Sequence, residues 1–165
     1  MRVPYHEQLN SYTCGPATLQ MVMGYFGVHK NQRELAKKMK TKPWKGTDNK
    51  DLIRRATHEG FYCYVNNEST IFEIKHFLAM GLPVIVNYIE PSEDEGHYAV
   101  IVGYFFRWLI LNDPWNGERF KISEKKFLAR WYDSRKRYPR WIMVLSKKDM
   151  HFGKQYRPRK GKIRP

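Results

Sequence analysis

From Ala17 to Phe26 the chain reads Ala-Thr-Leu-Gln-Met-Val-Met-Gly-Tyr-Phe, with only Thr18 and Gln20 clearly polar. A helix that is apolar nearly all round has no face to offer water and must be buried on most sides. The rest of the chain therefore has to fold around it. Pro16 suits a first helical turn, where its missing N–H would have had no partner, and Gly27 supplies a stop, so the spacing predicts a helix over roughly residues 15 to 26. Cys14 then sits at its N-terminus, where unpaired N–H groups and the positive end of the helix dipole favour thiolate over thiol. A lone cysteine there reads sooner as a small packed hydrophobe. The residues that accompany it decide between the two.

Gln8 precedes Cys14 by six residues, on a segment that approaches the helix from outside. Its amide and the Cys14 backbone N–H are two donors able to converge beside a nucleophile, as in an oxyanion hole for acyl transfer. Far downstream come Gly96-His97-Tyr98-Ala99-Val100-Ile101-Val102-Gly103-Tyr104 and Leu111-Asn112-Asp113-Pro114-Trp115. With Gln8 and Cys14-Gly15-Pro16-Ala17, these motifs resemble the C39 peptidase family, papain-like cysteine peptidases whose typical members remove leader peptides after a double glycine. The resemblance spans roughly residues 2 to 146 with three motifs in order. It implies Cys14 as nucleophile, His97 as base, Asp113 as the residue orienting the histidine and Gln8 as oxyanion donor. It also implies a peptide or protein substrate, of leader type in the typical member. No transporter follows the domain in this sequence, so any transporter partner is expected to be a separate chain.

A chain of 165 residues with 15% aromatics supports one domain with a real core, despite a mean hydropathy of -0.69. The expected division is a peptidase-like domain over 1–148 and a basic tail over 149–165. The formal charge of +14 invites a nucleic-acid or anionic partner. Six of the basic residues lie in 151–165, which contains no acid, so that alternative would act through the tail. The two cysteines, Cys14 and Cys63, give no disulfide framework, and Cys63 reads as a buried structural residue in a strand. No histidine and cysteine set has zinc spacing, and neither metal nor cofactor is called for. No apolar run reaches the length of a membrane span and the N-terminus has no signal-peptide core, so the expected location is the cytoplasm.

Taken in order, Asn31 caps a helix of roughly residues 32 to 40, and Thr47 or Asp48 caps another ending at Gly60. Residues 61 to 66 read as a strand, and Ser69 or Thr70 opens a helix to Met80. The period then changes to that of strands at 83–89, 97–104 and 107–112, with a short strand at 120–122, a helix capped by Ser123 and a last strand at 141–145. Helices followed by an antiparallel sheet describe an α+β fold, with the cleft between the halves, as a papain-like fold requires. A hairpin turning near Phe105 would pair residues whose numbers sum to about 210 and set His97 opposite Asp113. Asn112 points to the other face, so only one of the two can orient the histidine. His6, though near Cys14 in sequence, lacks a third group to hold it and is set aside.

Glu90, Glu93, Asp94 and Glu95 precede His97 and are expected to make one lip of the cleft negative, favouring substrates with a basic group. Glu93, Asp94 and Glu95 are accordingly candidate substrate contacts. Trp44, on the loop after the second helix, is another. The chemistry expected is thiol-dependent cleavage of a peptide or related amide. Isopeptide cleavage, deamidation and acyl transfer use the same groups, and a non-catalytic binding domain is the reading from another class.

Overall fold

The apolar segment forms α1 (Cys14–Tyr25), and Ala17, Leu19, Met21, Val22 and Met23 are all fully buried in it. In this computed structural model, which describes residues 1–152 and 154–159, α1 lies against one face of a seven-stranded antiparallel sheet. Around it on that face stand α2 (Gln32–Lys38) and α3 (Asn49–His58). Burying each large apolar side chain of α1 contributes about 1.5–3 kcal/mol. That explains why the least amphipathic helix takes the middle place.

The sheet consists of β1 (Tyr62–Asn66), β2 (Val84–Ile89), β3 (Gly96–Phe105), β4 (Trp108–Asp113), β5 (Gly117–Ser123), β6 (Ile142–Ser146) and β7 (Gln155–Tyr156). Their spatial order is β5-β4-β3-β2-β6-β1-β7. Both faces are covered. Tyr98, Val100 and Val102 of β3 turn towards α1, while Ala99 and Ile101 turn towards α4 (Ile71–Ala79) and α5 (Glu124–Arg130) on the far face. This two-residue alternation, apolar on both sides, produces the continuous apolar runs of β2 and β3.

The expected helix caps are present. Asn31 Oδ1 accepts the Arg33 and Glu34 N–H groups, Thr70 Oγ1 accepts Glu73 N–H, and Ser123 Oγ accepts Lys126 N–H. Asp48 is the N-cap residue of α3.

Two features differ from the sequence-based expectations. The β1 strand, from the helical half, is inserted between β6 and β7, so the sheet does not belong to the second half alone. In the basic tail, whose ordering the sequence leaves open, the described residues pack on the domain: β7 pairs with β1, Phe152 rests on Tyr64 and Phe77, and Arg159 N–H donates to the Thr57 carbonyl at 3.1 Å. The unpaired edge of β1 and an aromatic pocket over α4 give this stretch something to bind, which its basic composition conceals. The end of the expected tail, 160–165, lies outside the described residues. Finally, the β3–β4 hairpin turns between Phe106 and Arg107, with partners summing to 213 near the turn and 212 beyond an irregularity between Ile101 and Gly103.

Candidate active site

The N-terminus of α1 delivers Cys14 to a cleft of about 740 Å³ at one end of the sheet. Thr13 turns its hydroxyl to Asn10, with Asn10 N–H donating to Thr13 Oγ1 at 3.3 Å, rather than to the helix. Gly15 is required by a close approach: a Cβ there would lie 2.8 Å from Thr47 Oγ1. The loop before α3 can therefore close on the helix end. Burial pushes the Cys14 thiol up, but the charge and hydrogen bond of His97, with backbone hydrogen bonds from Tyr98 and Gly15, bring it below its ordinary value.

His97 is the second residue of β3 and is paired with Tyr88, not with Asp113. Continuing the observed register would set Ala99 opposite Asp113, so His97 is Asp113's diagonal neighbour on the same face. The contact expected from the sequence is made all the same: His97 Nε2 lies 2.8 Å from Asp113 Oδ1. That leaves Nδ1 as the nitrogen available to Cys14. Burial would lower the imidazole, yet the facing thiolate and Asp113 raise it to about 10.

Asp113 is fully buried. Its Oδ1 also accepts Trp115 N–H at 2.9 Å and Asn116 N–H at 2.8 Å, and its Oδ2 accepts the Tyr88 hydroxyl. Burial alone would raise the carboxyl; His97 and these donors hold it below the ordinary carboxylate value. Asn112 points the other way, donating to the Val3 carbonyl at 2.9 Å and anchoring the N-terminal segment.

Gln8 is buried on the segment leading to α1, with its N–H donating to the Pro114 carbonyl at 3.1 Å. This ties the approach to Cys14 to the turn that carries Asp113. The side-chain Nε2 donates to the Asn10 carbonyl at 2.7 Å, which fixes the amide and leaves its second hydrogen uncommitted to that bond.

The expected negative lip is not what the fold makes. Glu90 is folded inward, accepting Ser92 N–H and Oγ–H, Glu93 N–H and Asn116 Nδ2. Burial would raise its carboxyl, but these hydrogen bonds bring it below the ordinary range. Such an acid organises its loop and shows little charge to the cleft. Glu93 is exposed and does not line the cleft; Asp94 and Glu95 do, but Asp94 is 2.7 Å from Arg130 Nη1. Lys45, Lys50, Arg135 and Arg137 also line the cleft, so its charge is mixed. Trp44 lines it too and is 79% exposed.

Sequence reasoning missed Tyr88 and Tyr98. Tyr98 follows His97, and its hydroxyl donates to the Thr47 carbonyl at 3.1 Å and to Asn49 Oδ1, clamping the loop before α3 to β3. Both tyrosines look like ordinary core aromatics in a strand; only their phenol partners distinguish them. Loop 133–140, which reads as a connector, forms another wall of the cleft, organised by Asp133 accepting the Arg137 and Tyr138 N–H groups at 2.6 and 2.8 Å. Among the described residues no group of three or more His, Cys, Asp or Glu is placed to hold a metal, and no helix is long and apolar enough to cross a membrane.

Known structures share this arrangement of helices and sheet. The peptidase domain of Streptococcus ComA, a bifunctional ABC transporter of a quorum-sensing pathway, superposes with a TM-score of 0.74 at 22% identity, covering 89% of this chain and 100% of that one. A double-glycine-motif protease from an AMS/PCAT transporter, solved with its leader peptide, gives 0.70 at 18% identity, covering 87% of this chain and 91% of that one. A C39-like peptidase from Bacillus anthracis gives 0.69 at 17% identity, covering 89% of this chain and 96% of that one. At such identities the likeness shows the fold, an α+β papain-like peptidase fold. No curated protein matches the chain significantly. The family model described as the Peptidase_C39 like family matches residues 1–139, most of the chain, and the chain belongs to that family.

Proposed function

We propose that this protein is an active cysteine peptidase, cleaving a peptide or related amide through an acyl-enzyme on Cys14. The observation that carries the reading is the buried chain of Cys14, His97 and Asp113 at the cleft, with His97 Nε2 2.8 Å from Asp113 Oδ1; that arrangement lowers the thiol and raises the imidazole. Opposite shifts on facing groups describe a thiolate–imidazolium pair, held by a carboxylate that stays ionised.

The Cys14 thiolate attacks the carbonyl carbon, and the carbonyl electron pair moves to oxygen. The Cys14 N–H and the second amide hydrogen of Gln8 stabilise that oxyanion. As the tetrahedral species collapses, the leaving amine takes the proton from the His97 imidazolium. Neutral His97 then draws a proton from water as it attacks the thioester, and the acid product leaves with the ion pair restored. Asp113 holds the ring by Nε2 throughout, so Nδ1 always faces the sulfur. Asp94, Glu95 and Trp44 contact substrate along the cleft, in which a peptide, of leader type and delivered by a separate transporter or not, lies extended.

Digestion of a peptide library by the wild type and by a Cys14→Ala variant tests the reading. Cleavage lost with Cys14 supports it. Absence of cleavage, with Cys14 no more reactive to an electrophilic probe near neutral pH than a free thiol, would leave a binding domain as the better account.

A further inference from the structure

The β3–β4 connection lies at the end of the sheet away from the cleft. Strand β3 runs ten residues from Gly96 to Phe105, about 30 Å of extended chain, so its tip stands at the opposite pole from His97. Phe105 pairs with Trp108, and Phe106 and Arg107 fill the two central positions of the turn with φ of 44° and 63°. This left-handed backbone belongs to the tight two-residue hairpin loop, where Gly, Asn and Asp are favoured because other side chains are strained there. Phe105, Phe106 and Trp108 are 65%, 80% and 48% exposed, and the two phenylalanine rings meet edge to face with centroids 4.5 Å apart. An aromatic wedge is thus held out into water on a strained turn. Neither feature serves the core.

Charge around the wedge is nearly of one sign. Arg107 is at the tip itself, and its carbonyl accepts Glu124 N–H at 2.8 Å, which sets the exposed Lys125 and Lys126 of α5 beside the turn. Lys75 of α4 stands 3.8 Å from the centre of the Tyr104 ring, one residue before Phe105. The acid among these residues, Glu124, accepts the Tyr104 hydroxyl at 2.7 Å.

We propose that the β3–β4 tip docks this protein on an anionic lipid bilayer, with Phe105, Phe106 and Trp108 entering the headgroup boundary and the surrounding basic side chains facing lipid phosphates. Aromatic rings favour that boundary, and basic residues beside an anionic leaflet add attraction that salt screens. The two signals together give the anchoring that a single weak one does not. The excess of positive charge beside the wedge is what selects lipid as the occupant. Docked this way the molecule keeps its cleft, at the far pole, open to solution, whatever reaction takes place there.

The test is sedimentation of the full chain with vesicles of phosphatidylcholine alone and of phosphatidylcholine mixed equally with phosphatidylglycerol. The wild type should sediment with the anionic vesicles and less so at high salt. A Phe105→Ser, Phe106→Ser, Trp108→Ser variant should bind at least about tenfold more weakly, while Cys14 alkylates at the wild-type rate, which reports an intact fold. Lys125→Glu with Lys126→Glu should weaken binding as well. Two results would overturn the proposal: no sedimentation of the wild type with anionic vesicles, or equal binding by the aromatic variant, which would place the attraction elsewhere, as on the basic 149–165 segment.

Discussion

A single imidazole links the thiol and the carboxylate at the cleft. His97 meets a carboxylate on Nε2 and a thiol from its other side, and each neighbour favours its charged form despite burial. The thiolate is therefore populated from below the ordinary thiol value of about 8.5. Alkylation of Cys14 should rise with pH through that lowered value and then stay high. Peptide cleavage should share the acid limb but fall again as the pH passes the His97 value of about 10, where the imidazolium needed by the leaving amine is lost. Replacing His97 by Ala leaves only the backbone hydrogen bonds from Tyr98 and Gly15 to oppose burial at Cys14, so the alkylation limb should move to a higher pH than in the wild type; a limb that does not move would mean that His97 does not control the thiol. Asp113→Asn keeps a group that can accept at the Oδ1 position but removes the charge. Cleavage should fall by at least about tenfold, one pKa unit of lost differential interaction, and its alkaline limb should move down. In the wild type the depressed carboxyl of Asp113 adds stability that is complete above about pH 3.9 and is lost as the pH falls through its folded value.

At the level of elements, the site depends on how closely backbones approach. Gly96 begins β3 against loop 133–140, and a Cβ there would lie 2.9 Å from Ser134 Cβ and 3.3 Å from its backbone nitrogen. Gly96→Ala must push that wall of the cleft outward or shift His97, at a cost of about 1–3 kcal/mol for overpacking. Urea denaturation should report that loss together with a fall in turnover; unchanged values for both would show that the wall yields freely. The register of β3 against β4 teaches the same lesson. The turn, centred later than expected, displaced the cross-strand pair by three residues; the irregularity between Ile101 and Gly103 takes one back, and a shift of two along one strand keeps the face, so His97 still meets Asp113 on the diagonal. The two-residue period of a strand gave the faces, and the hairpin turn gave the approximate partner. The offset came from the turn, which is centred between Phe106 and Arg107 rather than near Phe105, and the irregularity takes one residue of it back.

Over the whole molecule, the 149–159 segment closes the open side of the sheet. Gln155 and Tyr156 cover the free edge of β1, while Phe152 packs near Tyr64, His76 and Phe77. Ending the chain after Lys148 should therefore lower the thermal midpoint by several degrees, about 2–4 °C for each kcal/mol lost in a domain near this size. It should also promote aggregation through the bared edge strand. An unchanged midpoint would mean that the segment is a dispensable arm.

What the sequence determined by itself was the part set by local chemistry. The apolar circumference of α1 requires a central helix, Asn31, Thr70 and Ser123 are legible as caps, and Gly15-Pro16 after Cys14 places a thiol at a helix mouth. The resemblance carried by three motifs nominated Cys14, His97 and Asp113, and the expected hairpin set the last two on one face of neighbouring strands. Tertiary structure decided everything that depends on what lies across a gap. It turned Glu90 into its own loop and paired Asp94 with Arg130, so the four acids of residues 90–95 make no uniformly negative lip. It gave Asp113 the Tyr88 hydroxyl, and it folded a basic stretch back as an edge strand. Charge and composition record which groups a chain owns; only packing determines which of them remain unpaired and facing the cleft.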